Sequence, residues 1–345
     1  MKKRTALGLA LILVAFGLTG CKSAGGSKLN DLLSVLPKTM NGVVVIDVHR
    51  AITTEVVDKA IKDSAEYQKY QEFIKQTGID PQKDIQSLVI GFSATGTGEE
   101  ALASGAGVVS LVYDKTKLLA KIKELTPNLI EQTYEGIVLF ASPEEKDKPM
   151  FGAFLDETRI AIGNEADIKS VIDVFKKKSE SVLKNEKVAA LIKTANTNAM
   201  AWSVIAFPPE MMKDIVAKNP MAADLADIHA LSIFFDYANK ALQLEIKGLG
   251  GDAEKNKKLA DTLNGFKAIG GMAAGEKPEV GELLNKIEVT SAPDNIRIFA
   301  SLPDELLNKL SKTAEAQVKE KLAGTKGEEK KAEDKKDEKK AEIKK

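Results

Sequence analysis

The chain has 345 residues, with 50 basic and 50 acidic side chains, 43% hydrophobic residues and 29% charged ones. That balance excludes the basic domain or stripe on which nucleic-acid binding depends, and an aromatic content of 5% supplies few stacking platforms for bases or sugars. One cysteine rules out a disulfide framework or a cysteine-cluster metal site, and two histidines, His49 and His229, leave little for zinc or histidine-based catalysis.

The first segment, Met1-Lys2-Lys3-Arg4-Thr5, is basic and runs into the uncharged stretch Ala6 to Gly17. That stretch falls short of the roughly 20 apolar residues that span a bilayer. Basic start, short apolar middle and small-residue exit form a secretory signal. Its exit, Leu18-Thr19-Gly20-Cys21, resembles a bacterial lipobox. The resemblance implies cleavage before Cys21 by a lipoprotein signal peptidase that recognises Leu18, Thr19 and Gly20, followed by lipidation of Cys21. Two or more acyl chains, at about 0.8 kcal/mol per buried methylene, give stable anchoring. By the same resemblance, Lys22 after the cysteine favours the outer membrane. Cleavage also removes Lys2, Lys3 and Arg4, leaving a mildly acidic mature chain with little pull on anionic lipid. Residues 1–20 are thus read as signal peptide, and 21–30 as the lipidated cysteine with a Gly/Ser tether.

Residues 31–195 and 196–322 read as two copies of an α+β unit. In the first, Gly42 to Arg50 is a strand rich in β-branched residues. A helix begins near Thr54 and stops at Gly78, followed by strands at Ile85–Ser93 and Gly107–Tyr113. Asp114 caps the next helix, which Pro127 ends. Strands near Gly136–Ala141 and Phe151–Gly163 lead to a helix that starts at Asn164 and ends in Lys176-Lys177-Lys178. In the second, Ala199–Phe207 is a strand and Pro208–Leu225 is helical, broken near Pro220. Leu231–Tyr237 and Ala241–Lys247 form a hairpin, and a helix carries Leu259, Leu263, Phe266 and Ile269. A last hairpin, Lys286–Thr290 and Ile296–Ser301, precedes a helix opened by Pro303. Each copy reads strand–helix–hairpin–helix–hairpin–helix, on a mainly antiparallel sheet with helices packed on it. Asp84 to Phe92 aligns with Asp227 to Phe235 at five of nine positions.

Further landmarks are Leu36-Pro37 before the first strand and Gly78-Ile79-Asp80 before the second. Asn185 with Val188 and Leu191 precedes the Trp202 strand, and Ser301-Leu302-Pro303 closes the body. On these segments, residues 36–310 resemble a group of uncharacterised exported bacterial proteins and lipoproteins known only as domains of unknown function. The resemblance implies an α+β fold and an extracytoplasmic address; it implies no activity, cofactor or site residues. Residues 323–345 are dominated by Lys and Glu, cannot bury enough surface to offset their ordering entropy, and read as a disordered tail that solubilises the chain or touches peptidoglycan.

Four arrangements invite a chemical reading. Asp47 and His49 lie two apart on one predicted strand, hence on one face, as an acid–base pair would. Gly91-Phe92-Ser93-Ala94-Thr95-Gly96 approaches a nucleophile elbow, but Thr95 stands where a glycine belongs and no helix follows. Gly248-Leu249-Gly250-Gly251-Asp252-Ala253 fits G-x-G-x-x-A, although its strand belongs to a hairpin and Asp252 would repel a pyrophosphate. Met211, Met212 and Met221 would line an adaptable apolar groove or fill a core. No catalytic set, metal site or cofactor motif emerges. The expected function is non-catalytic binding or scaffolding in the bacterial envelope, with an envelope protein or peptidoglycan as partner. The alternatives are a periplasmic carrier of an apolar ligand and a carboxylate-based envelope hydrolase.

Overall fold

Runs rich in β-branched residues become strands, and Asx-capped amphipathic runs become helices, in the computed structural model, which describes residues 26–95, 102–142, 149–276 and 278–313. Helix α1 (Gly26–Leu33) leads into β1 (Gly42–Asp47). Four short helices, α2 (Val48–Ile52), α3 (Glu55–Asp63), α4 (Tyr67–Thr77) and α5 (Pro81–Asp84), connect β1 to β2 (Ile85–Ala94). Then come β3 (Leu102–Leu111), α6 (Lys115–Leu125), β4 (Ile130–Tyr134), β5 (Ile137–Ala141), β6 (Phe151–Phe154), β7 (Arg159–Gly163), α7 (Glu165–Phe175) and α8 (Glu186–Thr194). The second half holds β8 (Ala201–Ala206), α9 (Pro209–Lys218), β9 (Ile228–Ala238), β10 (Ala241–Gly250), α10 (Ala253–Ala273), α11 (Pro278–Asn285), β11 (Ile287–Ala292), β12 (Asn295–Pro303) and a helix, α12, over 304–313.

The predicted boundaries rest on local chemistry that the fold keeps. Asp114, Asn164 and Asp252 each accept hydrogen bonds from backbone N–H groups in the first turn of α6, α7 and α10, a cap that contributes about 1 kcal/mol. Gly78 ends α4 in the left-handed region at φ 71°. Asn239 and Lys240, both at positive φ, form the two-residue turn between β9 and β10, whose twist suits a hairpin.

The strands form one antiparallel twelve-stranded sheet in the order β11-β12-β10-β9-β8-β1-β2-β3-β7-β6-β5-β4. The two copies therefore share a sheet. They meet where β1 pairs with β8, and that register is self-reciprocal: Gly42 faces Ile205 while Ile46 faces Ala201, around a central Val44–Ser203 pair. Every antiparallel ladder has such a local twofold; the one through Val44 and Ser203 extends beyond its own pair of strands. The axis carries β2 onto β9, because Gly42 faces Phe92 as Ala201 faces Phe235. Phe92 thus corresponds to Phe235, the same residue equivalence as the sequence alignment of Asp84–Phe92 with Asp227–Phe235. Further out, β3 matches β10 and β7 matches β12, each pair of outer strands lying next to the other.

Four expectations need correction here. The helix read from near Thr54 to Gly78 is two, α3 and α4, parted at 64–66. The segment Phe151–Gly163 is not one strand but the hairpin β6–β7, turning at 155–158. Strand β4, with polar Glu131, Gln132 and Thr133, was not foreseen, because it lies at the sheet's edge and has no buried face to imprint an alternation. The first copy consequently has two hairpins between α6 and α7 where the second has one between α10 and α12. Pro303 closes β12 instead of opening the last helix.

The main core lies on one face of the sheet. Val45, Val89, Val108 and Ala161 sit opposite one another across β1, β2, β3 and β7. They pack with Leu32 and Leu33 of α1, Ile168 and Ile172 of α7, Val188 of α8 and the single Trp202. On the opposite face, α4 and α6 cover the outer first half through Phe73, Leu118 and Ile122, which meet Phe140 and Phe154. Helix α10 covers the outer second half through Leu259 and Leu263, against Ile296 and Val289.

Candidate functional site

The arrangements singled out in the sequence are dispersed by the fold. Strand β1 ends at Asp47, which caps α2 by accepting a hydrogen bond from the Arg50 N–H at 2.9 Å. His49 lies inside that helix, its Nδ1 3.0 Å from the Gln82 carbonyl oxygen. The two do not share a strand face, so the acid–base pairing fails: Asp47 is consumed as a helix cap. Ser93 is the penultimate residue of β2, its hydroxyl donating to the Thr39 carbonyl at 3.3 Å; Gly96 lies outside the described residues. Gly248 and Gly250 belong to β10, antiparallel to β9, and the Asp252 carboxylate takes the first N–H groups of α10 at 2.9 and 3.0 Å. A phosphate would have to displace that carboxylate, so the glycines build a turn. Gly250 is needed there: at φ 133°, a side chain would collide with the Asp227 carbonyl.

Met212 is buried on α9 and Met211 is half-buried. Met221 falls in a short 3-10 turn after α9, with its side chain outside the described residues. Leu18, Thr19, Gly20 and Cys21 also lie outside the described residues, as does the tail 323–345. Among the described residues no three His, Cys, Asp or Glu side chains group as metal ligands. Likewise, no described helix is long and apolar enough to cross a membrane.

The fold brings together a feature that no motif marked. On the face opposite the main core, one register row crosses the sheet: Ile298, Ile246, Ile233, Ser203, Val44, Ile90, Gly107 and Ile162, each paired with the next. At about 4.8 Å between strands, eight strands span ~34 Å. A parallel row adds Leu244, Phe235 and Leu88, and Ile205 and Phe92 flank Gly42. These apolar side chains are all half-buried, and none packs into a buried cluster. The helices on this face sit over its outer parts, α4 and α6 at one side and α10 at the other, while α2 and α3 close one end through Ala51, Ile52 and Ile61 against Ile46 and Tyr237. Between them lies an apolar trough, with Ser203 and Gly107 lowering its floor.

Strand alternation makes the trough unusual. In β10 and β12 the opposite face carries Glu245, Lys247 and Arg297, with Arg297 Nε donating to Glu245 at 2.5 Å and Lys247 3.5 Å from the same carboxylate. Those strands pair their charges on one side, Glu245 only 14% exposed between Lys247 and Arg297, and turn their apolar side toward a layer that covers only part of it. At the α10 margin the apolar surface continues outward: Phe266, Ile269 and Met272 are 56%, 59% and 76% exposed. The sequence signal was present, as apolar residues at every second position of β1, β2, β9, β10 and β12. Which of the two faces a helix would cover was not in it.

No family model matches this chain. Over 207 residues it is 25% identical to the uncharacterized protein MJ0635 of Methanocaldococcus jannaschii, a match covering 57% of this chain and 65% of that protein, less than two thirds of the relative's length. Among solved structures, crystal forms III and I of TP0453 align with TM-scores of 0.46, at 10% and 9% identity. They cover 80% and 82% of this chain and 96% and 97% of theirs. Scores of this size carry no statement about function.

Proposed function

We propose that this is an exported, lipid-anchored bacterial envelope protein that binds without catalysing a reaction, and that its ligand is a long apolar molecule such as an acyl chain. The observation behind this is the half-buried apolar row from Ile298 to Ile162, eight strands wide, in which Ser203 carries the single polar side chain. The lipobox and signal peptide supply the address, with Cys21 as the acylated residue. A chain of about fifteen methylenes, at about 0.8 kcal/mol each, gains roughly 12 kcal/mol, and an immobilisation cost of about 4 kcal/mol leaves about 8, which is micromolar binding. This reading takes the carrier over a purely scaffolding role, and moves the ligand from the methionines of α9 to the sheet.

The test is the native mass of the protein starting at Lys22, before and after denaturation, with a fluorescent fatty acid titrated into the delipidated sample. An extra mass that denaturation releases, or micromolar probe binding lost in Ile233→Glu, is expected. A bare chain that also ignores the probe would refute the carrier. Independently, Cys21→Ser should leave the protein in the soluble fraction without acyl mass; an unchanged membrane distribution would sink the anchor.

A further inference from the structure

An open cavity of about 300 Å³ is lined by residues of α3, α4 and the start of α5, none of them a member of the apolar rows. Two of the chain's five tyrosines, Tyr67 and Tyr70, fall three residues apart on α4 and so share a face. Their rings stack at 6.1 Å with an interplanar angle of 15°. The rim carries two ion pairs, Asp58 with Lys62 at 2.7 Å and Asp80 with Lys83 at 2.6 Å. Gln82 ties α5 to α3, its amide donating to Asp58 at 2.9 Å and to the Ile52 carbonyl at 3.1 Å.

The chemistry of this lining selects a ligand class. Two carboxylates and two ammonium groups cancel, so an ion entering the cavity gains no net attraction and must break an existing pair to be held. The pairs still leave hydrogen-bonding capacity: an ammonium has three donors and a carboxylate about four acceptor sites, and each pair uses only part of these. Hydroxyl groups, donor and acceptor at once, match such a rim. The stacked rings provide a flat apolar body beside it, with polar tips. Burial and the neighbouring Asp80 raise the Tyr70 pKa; its hydroxyl donates to Asp80 at 3.4 Å and keeps its oxygen as an acceptor for a ligand hydroxyl. The volume is at the lower end of ligand pockets, room for about one or two sugar rings.

We propose that the cavity bounded by Tyr67, Tyr70, Asp58 and Asp80 binds a neutral saccharide, one ring lying against the tyrosines and its hydroxyls meeting the two ion pairs. Composition argued against stacking platforms; the fold makes one by concentrating two tyrosines on one helix. The proposal is independent of the apolar trough and survives if the trough binds nothing.

The experiment titrates the full-length protein by calorimetry with N,N′-diacetylchitobiose and maltose, and with the dipeptide Lys-Glu as a charged comparison. The expected result is a saccharide Kd of about 1 mM or tighter, weakened at least about tenfold by Tyr67→Ala and within about twofold of wild type in Tyr67→Phe, which keeps the ring. Should Tyr67→Ala unfold, Lys83→Met replaces it, at a side chain 79% exposed; it should weaken the sugar several-fold at unchanged melting temperature. Three outcomes overturn the proposal: no sugar binding, sugar binding indifferent to a folded variant, or Lys-Glu binding tighter than either sugar. Ile90→Ala, in the trough, should leave the saccharide Kd unchanged.

Discussion

Ile90 and Ile172 carry the same side chain in opposite circumstances, and replacing each by alanine tests whether the trough is open. Ile172, on α7, has no exposed surface and is embedded in the main core. Its truncation removes three carbons and leaves a hole, which places the cost in the 2–5 kcal/mol range, about 3.5 at the centre. Ile90, in the middle of β2, is half-buried and packs into no buried cluster. Three fully buried methylenes would be worth roughly 2.4 kcal/mol at 0.8 each. With water reaching the side chain and no cavity left behind, about 1 kcal/mol remains. Urea denaturation of both variants and wild type, in parallel and without ligand, measures the difference directly. A saturating fatty acid at a hundred times its Kd should then raise wild-type stability by about 2.7 kcal/mol, and Ile90→Ala by less. If Ile90→Ala costs as much as Ile172→Ala, something packs over the second face and the trough does not exist.

Two further outcomes concern the scaffold. Burial, and then a 2.5 Å hydrogen bond to Asp304, push the Tyr237 hydroxyl up to about 12. The folded value lies above the free value of about 10, so this stabilisation is complete below pH ~10 and is lost as pH rises toward about 12. Tyr237→Phe should therefore flatten the fall in urea midpoint across that window; an identical alkaline slope in both proteins would contradict the assignment. Gly250→Ala should destabilise by at least about 2 kcal/mol in thermal unfolding, from φ 133° and the collision with the Asp227 carbonyl. A change under about 0.5 kcal/mol would mean the turn relaxes freely.

Much of the scaffold was legible because its signals are local. A cap such as Asp114, Asn164 or Asp252 acts within three residues, and Gly78 stops α4 through its own φ. The alternation in β10 and β12 is written in neighbouring side chains, and so was the equivalence of Asp84–Phe92 with Asp227–Phe235, which the strand registers reproduce from Ser87 to Phe92 and Ala230 to Phe235.

What the tertiary structure decided is what depends on residues far apart in the chain. The two copies join one sheet because β1 finds β8, more than 150 positions away. His49 left the strand because Asp47 met the N–H of Arg50 and the His49 ring met Gln82. Tyr67 and Tyr70 became a lining only when α5 brought Asp80 and Gln82 beside them. Ile90 and Val89 are adjacent and equally apolar, yet Val89 is sealed under the helices of the main core while Ile90 stays half-buried on the other side. A strand turns alternate side chains to two faces by its own geometry; which face is closed depends on where non-local helices come to rest.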